Sequence, residues 1–582
     1  MRALTAASIP YGISDFRRVR AEGRYYVDKT GFLPALEVAG DFLFFVRPRR
    51  FGKSLFLDML RCYYDLNEKK NFKKLFDGLA IAEKPTANRN RYMVLGLDFS
   101  KVGGSDEASL AEGFREHVSN RLDAFVDVYR TIFDAKFRKA FASKSTASKF
   151  ASVVAVSKRR GIPIYLIIDE YDNFTNALIR AKGNEPYRAI THGTGFYREW
   201  FKKFKGDVDR IFMTGVSPVT MDDLTSGFNI ATNITCRATF NAMLGFTADE
   251  CVKMYSDFKG SGEFTEGDPA AVVASIKPWY DGYCFSSEKL GRESVFNSDM
   301  ALYHLKAMVE LGRPPENMVD RNISTDYAKL ETIAELQRKA SLQGAEDVLP
   351  IVDALENDGA LPFELVDSFP VDRIADPANF KSLFFYYGIV TMAYRAEGTV
   401  HYGIPNACIR RQVYDYLRDA YHRLPRPDWS RWDDFARGFA YRGEWRPFLA
   451  EIAKNYAASS PVRACLQGEI RVQGYLQAEF GHLKHYLACP ELELAGGYGD
   501  FFLFPERVYY GDVPHSYIIE VKQAKKNATA AVVAKLAREA TAQLKRYAKD
   551  EKVPTLAKDT TLHCLVLVFK GKKMAVCREL KQ

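Results

Sequence analysis

Residues 42–60 read FLFFVRPRRFGKSLFLDML. Phe42 to Val46 is a short apolar run suited to a buried strand, and Leu55, Leu57 and Leu60 continue past Gly52-Lys53-Ser54 in a helical pattern. The order is strand, loop, helix. Gly-Lys-Ser at a helix start offers a nucleotide three things at once. Unpaired backbone N–H groups point at the phosphates, the Lys53 ammonium reaches the β- and γ-phosphates, and the Ser54 hydroxyl can ligate Mg2+. In the general pattern, G-x-x-x-x-G-K-[ST], the first glycine falls where this chain has Arg47. Arg49 and Arg50, in the same loop, can meet either a phosphate or a partner carboxylate.

A chain of 582 residues has room for roughly three or four domains, each with its own core. No apolar run approaches the ~20 residues of a membrane helix, and the N-terminus lacks a secretory apolar core, so no membrane association is expected. The nine cysteines stand singly with no C-x-x-C pair, which argues against a zinc ribbon or a disulfide framework and for the cytoplasm. Net charge is +9, and from residue 461 onward 19 Lys and Arg face 13 Asp and Glu. Both a polyanionic partner and a solvated basic face fit that excess.

Downstream of the loop, Tyr92 to Phe99 reads as a strand, Asp106 to Ser157 as mainly helical, and Tyr165 to Ile168 as a strand buried on both faces that ends in Asp169-Glu170. A buried strand ending in adjacent carboxylates suits the second half of a nucleotide site. Asp169 would hold the Mg2+ shell and Glu170 polarise the attacking water. Arg210 to Thr214 is a further strand, and Thr214 or Ser217 at its end either contacts the γ-phosphate or closes the turn before Pro218.

Taken together, IPYGISDF (9–16), YYVDKT (25–30), RPRRFGKSL (47–55), IIDEYD (167–172), TGVSP (214–218), GFNIATNIT (227–235) and WYDGYCF (279–285) resemble the bacterial AAA-ATPase-like domain. The resemblance implies a phosphate-loop fold and ATP binding, for which the residues themselves offer Arg49, Gly52, Lys53, Ser54, Asp169 and Thr214. It also implies that Arg47 belongs to the family's own form of the loop.

Residues 286–460 carry few chemical signals. Leu383 to Asn406 reads as a helix end and a hairpin turning near Glu397-Gly398, followed by a helix from Cys408 to Tyr421; this order is winged-helix-like and suits a connecting or DNA-contacting role as well as plain packing. Trp429 to Trp445 reads as a linker helix.

The last segment holds a second constellation. Asp500 opens the strand Phe501 to Phe504, and Ser516 to Val521 leads into Lys522. Alternation puts Glu520 and Lys522 on one face of that strand. Two hard carboxylates for Mg2+ and a cation beside the attacking water are what a metal-dependent phosphodiesterase needs, although E-x-K also occurs on exposed strands as a salt-bridge face. With a helix before it (468–480), a helix after it (533–547) and a final strand (562–569), the order resembles the PD-(D/E)XK nuclease superfamily. That resemblance makes Asp500 and Glu520 the metal ligands and Lys522 the catalytic lysine, with Glu469 and Gln543 at accessory positions.

The fold expected is α/β: a phosphate-loop NTPase with a parallel sheet (1–285), a mainly helical connecting region (286–460, winged-helix-like near 383–421) and an α/β restriction-endonuclease-like domain (461–582). The function expected is ATP binding and hydrolysis together with Mg2+-dependent cleavage of phosphodiester bonds, DNA rather than RNA being the expected partner, with gating of cleavage by ATP and homo-oligomer formation left open. The alternative is an ATP-controlled switch whose nuclease-like domain only binds nucleic acid or protein.

Overall fold

β1 (Phe42–Val46) is buried over four of its five residues, and the strands at 164–169 and 210–215 are as deeply covered, which is why they read as continuous apolar runs. The structure is a computed structural model that describes residues 4–102, 107–172, 196–218, 231–264, 267–315, 317–320, 351, 355, 359–370, 373, 376–413, 429–458, 469–480, 483, 485–489, 493–494, 497–498, 501–505, 507, 510–550 and 552–580. After β1 come α1 (Lys53–Tyr64), β2 (Met93–Asp98), α2 (Glu107–Val128), α3 (Thr146–Arg160), β3 (Ile164–Asp169), α4 (Phe196–Asp207), β4 (Arg210–Gly215) and the short β5 (Thr232–Asn233).

These strands form one parallel sheet in the order β2-β3-β4-β1-β5. Val46 pairs with Gly215 and Asp98 with Asp169, so the carboxyl ends of β1, β4, β3 and β2 share one edge. Ligands of parallel sheets bind at that edge. Because β4 stands between β1 and β3, the phosphate loop and Asp169 meet across its end.

α5 (Ser298–Leu311) starts from Asn297, whose side chain accepts the Met300 N–H. A three-stranded antiparallel sheet follows, β6 (Ala360–Pro362), β7 (Thr391–Ala396) and β8 (Thr399–Gly403), in the order β6-β8-β7 with α6 (Pro377–Tyr386) before β7. Its hairpin turns through Glu397 and Gly398, both left-handed at φ 50° and 81°, the backbone a two-residue hairpin requires. Cys284 N–H donates to Thr391 Oγ1 at 2.7 Å, tying this sheet to the 279–285 segment. Residues 407–413 are helical; the rest of the expected helix to 421 lies outside the described residues.

The C-terminal part comprises α7 (Trp429–Arg442), α8 (Trp445–Ala458), α9 (Glu469–Phe480), β9 (Tyr486–Cys489), the small hairpin β10 (Glu493–Leu494) and β11 (Gly497–Tyr498), β12 (Phe501–Pro505), β13 (His515–Ala524), α10 (Ala530–Tyr547), β14 (Thr561–Lys570) and β15 (Lys573–Glu579). Its sheet runs β15-β14-β13-β12-β9, with β13 and β14 parallel and the other pairs antiparallel. α10 packs Ala537, Ala540 and Leu544 on the face bearing Phe502, Ile518 and Val566. The opposite face takes α7 to α9. Phe439 stacks on Tyr517 at 3.8 Å, Tyr456 meets Phe569 at 5.5 Å and Phe480 meets Phe501 at 5.1 Å.

The chain divides into two compact units, 1–347 with 360–407, and 348–359 with 408–582. The region expected to connect two domains is thus shared between the units. α5 and β6 to β8 pack with the first, whereas α7, expected as a linker helix, packs with α8 on the sheet of the second.

Candidate functional site

The loop after β1 is shaped by two left-handed residues, Arg50 at φ 71° and Gly52 at φ 87°. Gly52 needs that conformation to turn the chain into α1, and it is cheap only for glycine. Arg50 has no such freedom, and the N-terminus of α5 holds it: its carbonyl accepts from Ser298 Oγ at 3.1 Å and Asp299 N–H at 3.3 Å, and its guanidinium lies 3.5 Å from the Asp299 carboxylate. Burial pushes the Asp299 carboxyl up to about 6, with Arg50 pulling it down.

Arg47 turns away from the loop. Fully buried, it donates to the carbonyls of Val46, Thr235 and Phe240 at 2.8–3.0 Å and lies between the rings of Phe45 and Phe285 at 4.2 and 4.0 Å. Burial lowers its pKa to about 9, still leaving it charged near neutrality. The residue at the first-glycine position is therefore a core anchor that joins the loop to segment 235–240. Restoring the general pattern with Arg47→Gly is expected to destabilise the protein by roughly 3 kcal/mol or more, through lost donors and a cavity. Chemical denaturation measures this; unchanged stability would show that the anchor is dispensable.

Lys53, 8% exposed, donates to the carbonyls of Arg47 and Pro48, both at 2.9 Å. Ser54 Oγ donates to Asp169 Oδ2 at 2.7 Å. A hydroxyl and a carboxylate brought together beside a lysine make an oxygen donor set that fits Mg2+. Glu170 follows at φ 48°, its N–H donating to Asp169 Oδ1 at 2.9 Å. Burial raises the pKa of both carboxyls, and the charge of Asp169 raises that of Glu170 further, which strengthens Glu170 as a base.

A cavity of about 440 Å3 opens over these groups. Residues 49–56 and Glu170 line it together with segments 12–14, 25–27 and 244–246 and the start of α5 at Ser298 and Asp299. That size accommodates a nucleotide.

Thr214 and Ser217 do not reach it. Thr214 is buried with its hydroxyl donating to Phe45 O at 2.6 Å, and Ser217 is buried with its N–H on Asp172 Oδ2 at 2.9 Å. Both expectations of a γ-phosphate contact are corrected: the Thr214 hydroxyl is committed to the adjoining strand, and a buried Ser217 lies off the cavity. Asp172, which gave no chemical signal in the sequence, ties down segment 216–217, and Tyr171 OH donates to Ser217 O. A side chain at Gly215 would sit 2.4 Å from Asp172 Oδ1.

In the C-terminal unit, Lys522 Nζ lies 3.1 Å from Glu520 Oε1, and Glu520 is 1% exposed. Both project on the face of β13 that carries Ile518, the face α10 covers. Phe501 pairs with Ile519, so β12 enters the sheet beside Glu520. Gln543 lies on α10, its Oε1 buried with no hydrogen-bond partner among the described residues. Glu469 begins α9, on the other face of the sheet, and its side chain, like all of Asp500, lies outside the described residues. Among the described residues no three His, Cys, Asp or Glu side chains gather to hold a metal, and no helix is long and apolar enough to cross a membrane.

Comparison with known proteins agrees with this division. Residues 10–225 match the AAA-ATPase-like family, described as a predicted AAA-ATPase, and residues 467–579 match the PD-(D/E)XK nuclease superfamily. The chain carries one domain of each kind. It is 27% identical over 288 residues to an uncharacterized protein in the vnfD 5' region of Azotobacter chroococcum mcd 1, a match spanning 49% of this chain and 50% of that one. Among solved structures, the Aeropyrum pernix Orc1 protein in complex with DNA (12% identity, TM-score 0.24, 71% of this chain and 96% of that one) and Cdc6p from Pyrobaculum aerophilum (12%, 0.23, 69% and 95%) are similar at a distance that carries no argument.

Proposed function

We propose that the chain binds ATP with Mg2+ at the loop 47–54 and cleaves DNA phosphodiester bonds at a Mg2+-dependent site built on Asp500, Glu520 and Lys522, with ATP binding or hydrolysis gating the cleavage. The observation that carries the reading is the buried Glu520 carboxylate with the Lys522 ammonium 3.1 Å away, in a chain that also sets Ser54 against Asp169. An exposed salt-bridge face would leave both side chains in water; this pair sits under a helix.

Lys53 would leave the loop carbonyls for the β- and γ-phosphates, Arg49, which lines the cavity, would neutralise them, and Ser54 and Asp169 would hold the metal. Glu170 would accept the proton of the attacking water. In the second site, Asp500, which precedes β12 in the sequence, and Glu520 would hold Mg2+, and Lys522 would offset charge on the scissile phosphate. The bound metal supplies Lewis acidity toward the phosphate oxygens at both sites.

The test is cleavage of linear and supercoiled DNA in Mg2+, with and without ATP, using Asp500→Ala as control. Cleavage that responds to ATP and disappears in the variant is expected. Cleavage indifferent to nucleotide would remove the gating. Protein that binds ATP yet never cuts would leave a binding switch.

A further inference from the structure

Two turns meet at the end of the C-terminal sheet toward which β13 and β14 both run. β13 ends at Ala524 beside Lys570, the last residue of β14, and β15 begins at Lys573 opposite Lys570. The turns touch. Gly571 N–H donates to Ala524 O at 2.9 Å, and Gln523 Nε2 donates to Gly571 O at 3.1 Å.

Their side chains are cationic. Lys525 and Lys526 are exposed on the first turn, and Lys570, Lys572 and Lys573 flank the second. No Asp or Glu occurs between Glu520 and Glu539, nor between Asp559 and Glu579. Among the described residues, the ion pairs of this unit do not involve Lys525, Lys526, Lys570 or Lys573. Two strand ends that bring like charges together without a carboxylate from either segment leave repulsion that a bound polyanion relieves. The first turn of α10, which follows directly, also carries no acidic residue, so its partial positive charge adds to the field.

The lysines continue from the candidate nuclease site. Lys522 lies two residues before the end of β13, about 7 Å at the rise of a strand. We propose, resting on the nuclease reading, that these two turns hold the phosphate backbone of the nucleic-acid strand presented to Glu520 and Lys522. Lysines act there as point charges on successive phosphates, so the contact is independent of sequence and sensitive to salt.

Binding of a fluorescein-labelled mixed-sequence duplex, read by anisotropy in EDTA over a range of salt, separates this surface from cleavage. The full chain with Lys525→Ala, Lys526→Ala and Lys573→Ala is compared with a charge-matched Lys545→Ala, Arg546→Ala, Lys549→Ala variant at the far end of α10. The first variant should bind more weakly, its plot of log Kd against log salt shallower by up to about 2.7, since each phosphate contact contributes about 0.9. The second should keep the wild-type slope. A wild-type slope in the first variant, an equal loss in the second, or no binding by the wild-type chain each overturns the proposal. Wild-type protein that binds through these lysines but never cuts in Mg2+ sinks the nuclease reading and leaves the surface standing. Cutting that persists while the first variant keeps the wild-type slope does the reverse.

Discussion

Lys53→Ala is expected to weaken ATP binding on the order of 100-fold while leaving the chain folded. In this structure the ammonium is held by two neutral carbonyls, of Arg47 and Pro48, which ionised phosphate oxygens replace with stronger partners. Hydrogen bonds to charged groups contribute about 1.5–3 kcal/mol each, and about 2.7 kcal/mol is a hundredfold in affinity. Lys53 also steadies the loop through these carbonyls, so part of the loss would come from a looser loop. Calorimetric titration with ATP measures the affinity, and melting without nucleotide reports the loop term separately. Wild-type affinity in the variant would remove Lys53 from the nucleotide site. The same variant tests coupling: if ATP gates cleavage, its DNA cutting should no longer respond to nucleotide.

Glu520→Gln should reduce DNA cleavage by about 100-fold or more, because an amide cannot replace a carboxylate as a hard Mg2+ ligand, and even partners of a ligand cost 10–100-fold when removed. The substitution keeps the shape of the side chain but leaves the Lys522 ammonium, 16% exposed, without its carboxylate, which costs stability of its own. The double variant Glu520→Gln, Lys522→Met resolves the two effects. It removes both charges, so a pair that serves only to stabilise the sheet should tolerate the exchange, and cleavage would return. If the pair performs the chemistry, the double variant stays inactive although its melting temperature recovers. Recovery of cleavage would return Glu520 and Lys522 to the role of a buried salt bridge.

Much of the nucleotide end was legible before the chain was folded. The strands at 42–46, 164–169 and 210–215 are short apolar runs because a parallel sheet covered on both faces admits nothing else, and periodicity therefore reports them directly. Gly52-Lys53-Ser54 and Asp169-Glu170 could be paired from their places at strand ends. The residues misjudged, Thr214 and Ser217, have side chains with two chemically sensible destinations. Thr214 follows a strand as a phosphate contact would, yet its hydroxyl bonds to the neighbouring strand, a choice that depends on β1 lying beside β4. Arg47 occupies a loop position in the sequence and a core position in space.

The division of residues 286–460 shows the same limit on a larger scale. Trp432, Phe439, Phe448 and Ile452 declare that α7 and α8 bury a face. Nothing local says which sheet that face meets, because apolar burial is non-directional and is satisfied by any complementary surface.

By itself, then, the sequence determined the strands of the parallel sheet, the helix that starts after Gly52, the adjacent carboxylates at the end of β3 and the E-x-K strand, since each follows from backbone periodicity or from neighbours along the chain. The tertiary structure alone decided that Arg47 anchors segment 235–240, that Asp299 faces Arg50, and that two lysine-bearing turns stand side by side. Each of these joins segments distant in the chain, and such contacts are set by strand order and register, which no single stretch of residues encodes.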